Sequence, residues 1–129
     1  MSVGRDVDDA LSLSFPPHTA HIETARLFAA AAARHLGLAD EFVEDLKLVV
    51  SELCADAVEA GGSSPVEVLL RFDGRAIEGT VSGAPPTSGV DGAGGVDGAG
   101  NRRGLVEALV TVLFADGAGK VTFRIDVSG

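Results

Sequence analysis

Residues 40–60 read DEFVEDLKLVVSELCADAVEA, and Gly61 and Gly62 follow. Phe42, Leu46, Val49, Val50, Leu53 and Ala57 recur at intervals of three and four, which is one face of an α-helix. The spacing predicts a helix capped by Asp40 that runs to about Ala60, where the two glycines end it. Glu52 and Asp56 are four residues apart and share a side of this helix. Asp45 lies seven residues before Glu52, close to the same line. All three border the apolar face instead of pointing away from it. Carboxylates so placed can hold Mg²⁺ through oxygen ligands or take a proton from a nucleophile. They can equally form an ordinary solvated flank, and spacing alone leaves both readings open.

Working outward, Leu11, Leu13 and Phe15 alternate with Ser12 and Ser14, a short half-buried strand that Pro16 and Pro17 stop. Thr19 is placed to cap a helix that runs to about Leu36 and ends at Gly37. Residues 1–10 are polar and read as a flexible N-terminus. Downstream, Val66, Val68, Leu70 and Phe72 alternate with Glu67, Leu69 and Arg71 as a strand. Asp73-Gly74 is a strong hairpin turn, and the return strand spans about Ala76 to Ser82.

Residues 83–101 then read GAPPTSGVDGAGGVDGAGN, with Val-Asp-Gly-Ala-Gly at both 90–94 and 96–100. Glycine at this density cannot bury enough apolar surface to order itself. A loop this long in a small domain is either a functional lid or a disordered linker. A third helix is expected over Arg103–Phe114 and a last strand over Lys120–Val127. The order predicts an α/β (α+β) two-layer sandwich over residues 11–129, with helices packed on one face of a largely antiparallel sheet.

Composition narrows the function classes. The 129 residues make one domain, 46% hydrophobic but only 5% aromatic, so the core is built from Val, Leu and Ala with six Phe. A net charge of -9 argues against direct nucleic-acid binding, which needs a basic surface. No run approaches ~18 consecutive apolar residues, so no membrane span is expected. Asp6, Asp8 and Asp9 do not fit the basic-then-apolar pattern of a signal peptide, and a cytoplasmic location is expected. Cys54 is the single cysteine and reads as a small buried hydrophobe. His18, His21 and His35 lack metal-ligand spacing. Ser51 has no Gly-x-Ser-x-Gly setting and is not a nucleophile candidate.

DLKLVVSELCADAV resembles the corresponding helix of the anti-sigma-factor serine/threonine kinases, members of the GHKL ATPase superfamily with the Bergerat-type fold. There the helix carries a setting like S-E-x-x-x-N-A-V, matched here by Ser51, Glu52, Ala57 and Val58, with Asp56 in place of the Asn. The resemblance extends over about residues 11–127 through the order of its elements. It implies Glu52 as general base for a serine hydroxyl and Asp56 at the Mg²⁺-binding position. It implies a nucleotide site at Gly83, Arg103, Gly104 and Leu105, Mg-ATP as cofactor and residues 83–101 as its lid. It also implies a sigma factor and a STAS-type anti-anti-sigma protein as partners, with a homodimer as the assembly.

Two motifs depart from the family. After the hairpin the family has V-x-D-x-G, whose Asp accepts a hydrogen bond from the adenine amino group; here Gly83 replaces the Asp and Pro85 the Gly. The later motif, R-G-L-G-L or similar, reads Arg103-Gly104-Leu105-Val106-Glu107 and keeps one Gly. Mg-ATP binding is therefore expected to be weak or absent. Three functions stay open: an anti-sigma kinase, a pseudokinase with the same partners, and a plain α/β interaction module.

Overall fold

The computed structural model of the chain describes residues 10–83, 106–116 and 119–127, together with the backbone of a strand at Ser2–Arg5. That strand is β1. It is followed by β2 (Leu11–Phe15), α1 (Ile22–His35), α2 (Asp40–Glu59), β3 (Val66–Phe72), β4 (Ala76–Ser82), β5 (Val112–Ala115) and β6 (Lys120–Asp126). The six strands form one sheet in the order β1-β2-β3-β4-β6-β5. Every neighbouring pair is antiparallel. The architecture is the two-layer α/β sandwich that the alternation of the strands and the amphipathic helices require.

The register sorts the side chains into two faces. Leu13, Val68 and Val81 stand in one row and are buried, as are Phe15 and Val66 in the next. These rows receive the helices. α1 offers a stripe of small residues, Ala25, Ala29, Ala30, Ala32 and Ala33, that lets it lie close against α2. α2 contributes Val43, Leu46, Val49, Val50, Leu53 and Ala57. Gly79 on β4 pairs with Phe123 on β6, and a Cβ at 79 would stand 2.3 Å from the Phe123 ring. The missing side chain is thus the space the ring fills.

The helix ends differ in detail from the sequence reading. Thr19 opens a short 3₁₀ turn, Thr19–His21, instead of capping α1. His18 is the cap of that turn, its Nδ1 accepting from the Ala20 N–H at 3.2 Å. Asp40 is the first residue of α2 and Ala39 its extended N-cap, so Asp40 and Glu41 act through the helix dipole. Gly37 (φ 76) and Gly61 (φ 79) adopt the left-handed conformation that ends each helix. The Asp73-Gly74 hairpin forms as expected: Asp73 Oδ1 accepts from the Arg75 and Ala76 N–H groups, each at 2.9 Å.

Two segments are corrected outright. Ser2–Arg5, placed in a flexible terminus, pair along the whole of β1 with β2. Among the described residues of the helix expected over Arg103–Phe114, 106–109 are helical, but Val112–Ala115 form an edge strand on β6. Val106, Leu109, Val110 and Leu113 fit a helical spacing, but Thr-Val-Leu-Phe is equally good strand sequence. The open edge of β6 decides between them, with Thr111 N–H donating to the Arg124 carbonyl at 2.7 Å to begin the pairing.

Candidate functional site

α2 packs over β3 and β4. Its buried stripe fixes the rotation of the helix, and that rotation decides where the acids go. Asp45, Glu52 and Asp56 are half-buried at the border of the stripe, whereas Glu41, Glu44 and Glu59 are exposed. Glu44 is tied to Lys47 at 3.0 Å on the outer side. The sequence-based grouping of Asp45, Glu52 and Asp56 on one flank is therefore the arrangement in the fold. Ser51, beside Glu52, is buried and its Oγ donates to the Leu48 carbonyl at 3.0 Å. That back-bond occupies the hydroxyl within the helix. Cys54 is buried on the apolar side, where loss of solvation pushes its thiol up to about 12, so it is an inert neutral group.

Gly83 closes β4. Six residues, 60–65, connect the end of α2 to the start of β3, and Gly83 lies against the last of them. Asp56 is three residues, about 4.5 Å, before the end of α2. Asp56 and the end of β4 therefore lie toward the same end of the sandwich. Gly83 has φ 120, and a Cβ there would stand 2.6 Å from the Pro65 carbonyl oxygen and 2.9 Å from Val66 Cα. Glycine at 83 was legible as a missing carboxylate. That the backbone admits nothing else was not, because the obstacle comes from a strand 17 residues away in sequence.

Arg103, Gly104 and Leu105, and the Gly-rich segment 84–101 with its expected role as a lid, lie outside the described residues. Glu107, in helical conformation, is exposed, while Val106 is buried. His18 and His21 face one another edge-on at 6.3 Å, and His21 also packs on Phe15. Among the described residues no group of three or more His, Cys, Asp and Glu side chains gathers as a metal site. A shallow depression of about 390 Å³ lies on the opposite face of the sheet, bordered by Ser12, Ser14, Glu67, Thr80, Ser82 and Lys120, away from the α2 acids.

A two-layer sandwich with an antiparallel sheet, two helices on one face and paired acids on the flank of the second helix defines a class of fold. The family model for the histidine kinase-like ATPase domain matches residues 15–126. The chain belongs to that family. A search of the curated proteins finds no significant match.

Membership implies a magnesium nucleotide, and the residues meet that implication unevenly. Asp56 supplies one hard oxygen donor, which suits an ion normally held by one or two carboxylates beside phosphate oxygens. Glu52, a turn earlier, is a half-buried carboxylate, a group able to accept a proton. Gly83 supplies neither a carboxylate nor room for one. The chemistry of the acid flank fits the implied group, whereas position 83, which the sequence resemblance assigns to the base, offers no group to read it. No helix among the described residues is long and apolar enough to cross a membrane.

Proposed function

We propose that the chain is an anti-sigma regulatory factor: a cytoplasmic protein that binds an RNA polymerase sigma factor and exchanges it for a STAS-type anti-anti-sigma partner. The reading is carried by α2, where Ser51-Glu52 and Ala57-Val58 stand in the setting of that group and the half-buried acids border the apolar stripe. Membership in the histidine kinase-like ATPase family supports it. The net charge of -9 agrees with a protein partner better than with a nucleic acid.

Within this reading the chain acts as a binding switch, and catalysis is the second possibility. A serine kinase would need Glu52 as base toward the partner's hydroxyl and a reader of adenine at 83. Glycine at that position favours exchange of partners without phosphate transfer.

The experiment is reconstitution. The purified chain is mixed with each sigma factor encoded in its own genome, complexes are measured by size-exclusion chromatography and titration calorimetry, and the STAS proteins of that genome are then added. A stable complex with one sigma factor, dissolved by one STAS protein, is expected. Absence of any sigma complex rejects the reading. Labelled phosphate appearing on the STAS serine, and lost in Glu52→Ala, replaces the binding switch with the kinase.

A further inference from the structure

We infer that this domain does not select adenine: the carboxylate that would read the base is excluded from position 83 by the backbone itself. At φ 120, Gly83 occupies a region that side-chain-bearing residues rarely enter. The obstacle around it is main chain, with Pro65 O at 2.6 Å, Val66 Cα at 2.9 Å and Pro65 C at 3.2 Å from the place a Cβ would take. A flexible side chain could swing aside, but these atoms cannot. Pro65 has its φ fixed by its ring. Val66 is fully buried and paired with Phe15 of β2, so the start of β3 is held from its other side as well.

No other strand supplies the missing group. The six strands contain three acids, Glu67, Glu78 and Asp126, all exposed. Each alternates with a neighbour that faces the core: Glu67 with Val66 and Val68, Glu78 with Ile77, and Asp126 with Ile125. They therefore stand on the face away from the helices. Glu78 and Asp126 are also engaged by Arg124, at 4.0 and 3.6 Å. Among the described strands, the helix-covered face is thus without a carboxylate. The acids of α2 stand on a helix flank and not on the sheet, so none of them takes the place of a carboxylate at the end of β4.

The inference deepens the binding-switch reading on the nucleotide side. It is tested with no sigma factor or STAS protein present, so either can fail alone. The intact chain is titrated calorimetrically with Mg-ATP and with Mg-GTP, which differ at the base edge. Losing a charge-assisted hydrogen bond removes roughly 10- to 150-fold in affinity. A preference for Mg-ATP below about tenfold, or no binding of either, is expected on that scale. A preference beyond it overturns the inference and shows that another group reads adenine. Gly83→Asp is the second arm. It is expected to lower the thermal midpoint, or to fail to fold, without creating a preference for Mg-ATP. A Gly83→Asp protein that melts like its parent and gains such a preference overturns the backbone argument, whatever the parent binds.

Discussion

Asp56 on the flank of α2 and Gly83 at the end of β4 lie toward one end of the sandwich, and the backbone beneath the two positions is built differently. On α2, Glu52 and Asp56 project from a helix whose other side is anchored by Leu46, Val49, Val50 and Leu53. The regular helical backbone beneath them accepts any ordinary side chain. At the end of β4 the chain turns away at Gly83, and Pro65 and Val66 fill the space where a side chain would begin. There the exclusion of a side chain is written into the main chain. The contrast teaches that two positions near one end of a fold can differ in how freely their side chains can change. The rule is physical: a helix flank varies freely, whereas a strand end locked at positive φ does not.

The largest expected effect tests the anchored side of α2. Leu46 is fully buried, and Leu46→Ala should cost about 2–5 kcal/mol in urea unfolding, the range for a truncated core leucine. A loss below that range would mean that α2 is not held rigidly, and the contrast with β4 would weaken.

Next comes the locked position. Gly83→Ala should cost roughly 1–3 kcal/mol from the backbone conformation alone, read as a fall in the urea midpoint. A neutral result would break the comparison directly, since it would show that the turn after Ser82 can relax.

The exchangeable flank should respond least. Asp56→Asn, which restores the residue type of the family's helix, is expected to change stability by under about 1 kcal/mol, as substitutions outside the core do. A larger loss would give Asp56 a structural role and remove the asymmetry with Gly83.

A pH titration supplies a reference point in the hairpin that joins β3 to β4. The Asp73 carboxyl is held below the usual carboxylate range, first by the Arg75 and Ala76 N–H groups and then by Arg124, whose Nη2 is 3.2 Å away. A lowered folded-state pKa adds stability above the unfolded value near 4, and that stability is lost as pH falls through the lower folded value. Asp73→Asn should therefore flatten the fall of the thermal midpoint below about pH 4. It should leave the slope between pH 6 and 8 unchanged. An identical acid limb in both proteins would show that the turn does not depend on the charge.

By itself the sequence determined the elements whose signals are local. α2 follows from 3.6-residue periodicity closed by Gly61, and the β3–β4 hairpin from alternation across Asp73-Gly74. The flank carrying Asp45, Glu52 and Asp56 follows from helical spacing once the apolar stripe is known. The tertiary structure decided what depends on a distant partner. Val112–Ala115 became a strand because β6 offers an open edge, and Ser2–Arg5 because β2 does. Neither edge is visible in the segment that fills it. Gly83 belongs to the same category. Its missing carboxylate could be read from one residue, but its inability to regain one depends on Pro65 and Val66. Steric exclusion acts between atoms close in space, and only folding brings those atoms together.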